Sequence, residues 1–216
     1  YKYKKIQLNR DVIMSKGELK RRFFIAVYPP EHIAKALHEA TKDIDEDWDR
    51  KSSEDYHISL AFPGHLTMAQ VERLEESLSE LEHAPFKISL TGVSFHWRDP
   101  FDKNARNHVL WARADNDGDN ELSDLHSKLV TLLQQKNFRH GLRDISPHIT
   151  IARPPPEAGD LMKEFAKAHA HIDGEEWECD RIFICETLEK SDPRHPANNN
   201  GQGSKFVKVA EIKLKR

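Results

Sequence analysis

Thirteen of the 216 residues are histidine, the side chain that titrates nearest neutrality and most often carries protons in catalysis. Two of them stand in matching settings, Tyr56-His-Ile-Ser-Leu-Ala-Phe62 and Pro147-His-Ile-Thr-Ile-Ala-Arg153. Each reads His, apolar, hydroxyl, apolar. On a β-strand successive side chains point to opposite faces, so His57 and Ser59 share one face while Ile58 and Leu60 enter a core. By the same alternation His148 and Thr150 share a face, with Ile149 and Ile151 opposite. One imidazole and one hydroxyl, supplied twice, make two proton-transfer groups and two hydrogen-bond donors. Such a set suits acid–base chemistry at a centre whose oxygens gain charge.

A bare His-x-Ser/Thr is a weak signal, since this composition supplies about one by chance. A third match, His65-Leu-Thr67, follows Pro63-Gly64. There Thr67 and Gln70 read as a capping box opening the helix at Met68, which makes His65 a loop residue and the match a decoy. Context separates the other two: both lie in strands, at equivalent places in an apparent duplication, 91 residues apart.

Other candidates carry less. His169-Ala-His171 offers two metal ligands without a third and reads as a solvated helix end. His32, His38 and His126 fall in helical patterns. Cys179 and Cys185 are six apart, hence on one strand face, and read as buried thiols. Arg153 ends the second motif's strand and is within reach of a phosphate, although alternation places it off the motif face.

The elements that must position these residues recur in order. Arg22 to Tyr28 is a buried-strand run closed by Pro29-Pro30. Ile33, Leu37, Ala40 and Ile44 fall at helical spacing. Tyr56 to Phe62 is a strand ended by Pro63-Gly64, followed by an amphipathic helix from Met68 to Leu81 and an alternating strand from Phe86 to Phe95. The second half repeats this: a strand at Val109–Ala112, a helix carrying Leu122, Leu125, Leu129 and Leu132, a strand at Pro147–Arg153, a helix over 157–170, and a strand from Trp177 to Cys185. The pattern predicts an internal repeat of β-α-β-α-β units. Residues 98–106 form a polar loop; 187–203, rich in Pro, Asn and Gly, read as a mobile connection to a closing strand at 205–214. Residues 1–20 are polar and basic and read as an arm, with 1–13, ahead of Met14, as leader sequence.

Composition sets bounds. Hydrophobic residues are 38% and charged residues 32%, the proportions of a globular chain rather than a disordered or fibrous one. The longest apolar run is six residues, Phe23 to Tyr28, too short to span a bilayer. Two cysteines exclude a disulfide scaffold and show no metal-ligand spacing. Net charge is −3, so any nucleic-acid contact is local rather than along a basic track. The chain reads as a soluble, cytoplasmic monomer with no obligate protein partner.

On these residues the sequence resembles the 2H phosphoesterase superfamily, and within it the LigT-like RNA 2′,3′-cyclic phosphodiesterases, also called 2′-5′ RNA ligases. The two His-x-Ser/Thr motifs carry the likeness, with Phe23-Phe-Ile-Ala-Val-Tyr-Pro-Pro30 similar to the family's opening strand and turn. It runs from about residue 21 to the end. Ser59 stands where threonine is commoner, and the stretch Ser53–Tyr56 lacks the prolines often found there.

The resemblance implies an α+β fold: duplicated β-α-β-α-β lobes, about 21–96 and 107–216, with two antiparallel sheets facing a central cleft. It implies hydrolysis of 2′,3′-cyclic phosphates on RNA 3′ ends or small nucleotides, without metal or other cofactor, to give a 2′-phosphate. It assigns His148 as base and His57 as the acid protonating the 3′ oxygen, with Ser59 and Thr150 on the phosphate oxygens and Arg153 as a substrate contact. Alternatives left open are 2′-5′ ligation at the same site, cleavage of 2′,5′-oligoadenylates, and a non-catalytic nucleotide-binding module.

Overall fold

A computed structural model describes residues 19–45, 47–96, 108–115, 120–141, 147–172, 176–201 and 203–215. The expected arm and leader, apart from residues 19 and 20, and the polar loop 98–106 lie outside the described residues.

The elements follow in order: β1 (Arg21–Val27), α1 (Glu31–Ala40), the two-residue β2 (Asp49–Arg50), β3 (Ile58–Leu66), α2 (Met68–Leu78), β4 (Phe86–His96), β5 (Val109–Asp115), α3 (Glu121–Gln135), β6 (His148–Arg153), α4 (Gly159–Ala168), β7 (Trp177–Cys179), β8 (Arg181–Thr187) and β9 (Phe206–Lys213). All strand pairings are antiparallel. The strand order is β7-β4-β5-β6-β3-β1-β8-β9, with β2 on the edge of β6.

This order is close to a palindrome. The unit β1-α1-β3-α2-β4 matches β5-α3-β6-α4-β8, and the last strand of each unit crosses to pair with the first strand of the other: β4 lies on β5, and β8 on β1. The fold is thus α+β with two antiparallel halves, as expected, but the halves of the sheet do not follow the sequence halves 21–96 and 107–216. The exchange places each unit's third strand against the other unit's first strand.

The two halves meet at β3 and β6 through one pair, Ile58↔Ile149. Both isoleucines are fully buried, as are Leu60 and Ile151. They belong to the main core, which also takes Leu74 and Leu78 of α2, Leu125, Leu129 and Leu133 of α3, and Met162 of α4. The helices therefore cover the isoleucine face of the seam. The opposite face carries a smaller cluster: Phe24, Ala26, Phe183 and Cys185, with Tyr28, Phe62 and Phe206 against it.

Three expectations need correction. Strand β3 does not stop at Pro63-Gly64 but runs on to Leu66, so His65 is an exposed strand residue opposite Arg22. Register shifts against β1 absorb the proline, and Gly64, at φ +91°, takes a backbone conformation few other residues accept. Thr67 still caps α2 in a full capping box with Gln70.

The run Trp177–Cys185 is two strands, broken at Asp180, because β7 pairs with β4 while β8 must reach β1. Cys179 and Cys185 thus belong to different strands. Both are buried, and burial pushes their thiols up to about 12 and about 11, leaving them protonated and unreactive.

Of the connection expected to be mobile at 187–203, the described residues 188–201 form a series of hydrogen-bonded turns. Arg194 donates to Asp192 (2.7 Å) and to the buried Glu186 (3.0 Å), and Asn198 Nδ2 donates to the carbonyls of Lys190 and Asp192. A buried carboxylate needs a cation, and Arg194 supplies it from the loop.

Candidate active site

The single Ile58↔Ile149 pair fixes the geometry of the motifs. In antiparallel register the next positions outward face each other, so His57 stands across from Thr150 and Ser59 across from His148. The side chains of all four point away from the isoleucine face, and all four are half-buried. A pseudo-two-fold axis through the pair exchanges His57 with His148 and Ser59 with Thr150. The four expected residues thus flank the seam on one side of the sheet, and the charge of His148 is felt at His57.

Rings shape the surroundings. His57 packs among Phe24, Tyr28 and Phe206, with ring centroids at 4.8, 5.5 and 4.9 Å. His148 lies 5.4 Å from Trp111, which stacks on His96. Register explains the contacts: Trp111 pairs with Thr150 and Arg113 with His148.

His57 Nδ1 is 2.7 Å from the carbonyl oxygen of Asp55. A carbonyl only accepts, so Nδ1 carries the proton and the free lone pair of the neutral ring is on Nε2. Burial holds His57 well below its usual value, at about 4; His148, Lys205 and Lys208 push the same way, and the Asp55 carbonyl opposes them. The Asp55 carboxylate in turn accepts a hydrogen bond from Ser204. Asp55 thus ties the first motif to Ser204, just ahead of β9.

Lys205 and Lys208 are the cations that act on this histidine. Lys208 lies over the rings of Tyr28 and Phe183, at 3.9 and 4.6 Å, and burial lowers its ammonium below the usual value. Lys51 is buried, its ammonium lowered by burial and by the fields of Lys205 and Arg153 while Asp49 opposes them. Arg153 itself is exposed at the end of β6, opposite Asp49. It is not in the quartet; it belongs to a basic rim with Lys51 and Lys205.

Sequence reasoning missed Lys51, Lys205, Lys208 and the rings. Alternation along 206–213 places Phe206 and Lys208 on one face, but nothing local says that β9 reaches β1's neighbour. Of the two histidines considered for a metal, His171 is exposed, while His169 stacks on Phe165 at 4.1 Å and its Nδ1 donates to the Phe165 carbonyl at 2.9 Å. It closes a helix.

A family model described as the 2′-5′ RNA ligase superfamily matches residues 29–190, a span that includes both motifs. The chain belongs to the 2′-5′ RNA ligase superfamily. Within it, an Archaeoglobus fulgidus protein named RNA 2′,3′-cyclic phosphodiesterase is 29% identical over 150 residues, 67% of this chain and 81% of that one. A Bacillus subtilis protein of the same name is 30% identical over 142 residues, 63% and 73% of the two chains. Among solved structures, E. coli LigT in apo form superposes with a TM-score of 0.63 at 16% identity, covering 92% of this chain and 99% of that one. TT0787 of Thermus thermophilus gives 0.62 at 20%, covering 90% and 98%. These structural matches show that the superfamily member described here has the LigT-like fold.

Proposed function

We propose that this protein hydrolyses 2′,3′-cyclic phosphates at the 3′ ends of RNA or short oligonucleotides. The observation that carries the reading is the register at the seam, which brings two imidazoles and two hydroxyls from separate strands onto one face. The names of the A. fulgidus and B. subtilis relatives support the substrate class.

Hydrolysis of the five-membered ring needs a proton taken from water and a proton given to the leaving ribose oxygen, on opposite sides of the phosphorus. Two imidazoles related by a two-fold axis meet that requirement, so no metal is needed in the step. Ser59 and Thr150 hold the non-bridging oxygens as charge builds, a role worth ~2.7–4 kcal/mol for a well-placed donor. Lys205, Lys208 and Arg153 draw in the anion.

Following the family, His148 is the base and His57 the acid that protonates the 3′ oxygen, leaving a 2′-phosphate. His57 is neutral in the free protein at pH 7 because its pKa is about 4. A bound phosphate changes that: its negative charge offsets the neighbouring cations and favours a proton on Nε2. Ligation through a 2′-5′ linkage takes the same path with a 5′-hydroxyl in place of water, breaking the same bond to the 3′ oxygen, and in water mass action favours hydrolysis.

Turnover of an oligonucleotide ending in a 2′,3′-cyclic phosphate, with and without excess EDTA, tests the proposal. We expect turnover in both conditions, reduced at least ~10²-fold by His57→Ala or His148→Ala and unchanged by His65→Ala. Binding without turnover, or activity lost to chelator and restored by zinc or manganese, would contradict it.

A further inference from the structure

On the helical side of the sheet, away from the histidine quartet, His83 lies in the connection between α2 and β4 and is 3% exposed. Its Nδ1 stands 2.7 Å from the Ala84 carbonyl oxygen, so Nδ1 carries the proton and Nε2 the lone pair. Nε2 points at two carboxylates in the first turn of α3: Glu121 Oε2 at 3.4 Å and Asp124 Oδ2 at 3.4 Å. It makes no hydrogen bond to any of the described residues. A buried lone pair facing carboxylate oxygens is repulsive unless something positive lies between them.

A proton fits this gap poorly. A charge-assisted N–H···O bond closes to ~2.7–2.9 Å, and both separations here are longer. A first-row transition ion fits it well: nitrogen and oxygen ligands ~2.0–2.1 Å from zinc at tetrahedral angles stand ~3.3–3.4 Å apart. All three donor atoms lie within 4.8 Å of one another. One imidazole and two carboxylates form a donor set for Zn²⁺ or a similar ion, since magnesium and calcium take oxygen rather than imidazole ligands.

Two carboxylates outweigh the half positive charge at the α3 N-terminus. Lys128 Nζ, 2.8 Å from the same Asp124 oxygen, is the cation that a bound ion would displace. His83 and Lys128 also border a hollow of about 640 Å³, together with Leu81 and Ser127.

We infer that His83, Glu121 and Asp124 form a binding site for one divalent transition-metal ion, Zn²⁺ foremost, separate from the catalytic cluster. The ion ties three parts of the chain together. The His83 amide already donates to the Lys215 carbonyl at 2.9 Å, so the metal joins the α2–β4 connection, the chain after β9 and the start of α3. It stabilises the fold and takes no part in hydrolysis.

Isothermal titration of Zn²⁺ into the chelator-stripped full chain, paired with thermal melts, tests this. With thirteen histidines, site assignment needs variants. The near-isosteric pair Glu121→Gln and Asp124→Asn should weaken binding at least ~10-fold and abolish the Zn²⁺-induced rise in Tm, with turnover intact. His57→Ala and His148→Ala should leave the affinity unchanged. Absence of saturable binding to the unaltered chain, or equal affinity in the carboxylate variants, would overturn the site.

Discussion

At the scale of single residues, His57 holds the most information. Its ring is surrounded by Phe24, Tyr28 and Phe206 and anchored by the Asp55 carbonyl, and it remains neutral down to about pH 4. In the unfolded chain it titrates near 6.5, so between those values the folded state binds fewer protons. This contribution to stability is complete above about pH 6.5, declines with falling pH and is lost as pH drops through about 4, amounting to ~3 kcal/mol. Denaturation curves from pH 7 to pH 4 should show that loss, and His57→Phe should remove that part of the pH dependence. Identical pH profiles for the two proteins would show that His57 is not held neutral. The quartet itself was legible in the sequence because period-two alternation is a local property of a strand. Lys205 and Lys208 were not, because each comes near His57 only through long-range pairing.

Among the elements, the bulge in β4 sets the position of the second motif. Gly92 has φ +144° where the register shifts against β5, and a Cβ there would lie 2.0 Å from the Ala170 carbonyl oxygen. That carbonyl accepts from Arg113 at 3.0 Å, and Arg113 is the register partner of His148. Gly92→Ala thus meets both backbone strain and a backbone clash. It should destabilise the protein by more than ~1–3 kcal/mol, read by denaturant titration; a change below about 0.5 kcal/mol would mean that α4 yields freely. Strand and helix positions were readable from periodicity, and the cap at Thr67 from its spacing to Gln70. The continuation of β3 through Pro63-Gly64 and the break at Asp180 were not. The first depends on shifts in register against β1, the second on which strand each fragment must pair with, and neither is encoded locally.

For the molecule as a whole, the duplication was visible as a repeated element order, while the exchange of β4 and β8 between halves was not, since composition does not say which edge a third strand will cover. Charge behaves similarly. The net value of −3 conceals a group of Lys51, Lys205 and Arg153 that feel one another, with Lys205 and Lys208 acting on His57. A group of that extent engages only a few phosphates, so affinity should level off beyond a few nucleotides and log Kd should change with log salt by a slope of ~2–3 at most. Affinity that climbs steadily with length would point to an extended track instead. No helix among the described residues is long and apolar enough to cross a membrane. The central claim is that two symmetry-related imidazoles open a ribose cyclic phosphate, with His57 protonating the 3′ oxygen. Phosphorus NMR of a dinucleotide ending in a 2′,3′-cyclic phosphate, incubated with the protein in excess EDTA, tests it most directly. The cyclic diester signal should give way to a 2′-phosphomonoester; persistence of the diester, or a 3′-phosphomonoester as the main product, would contradict the account.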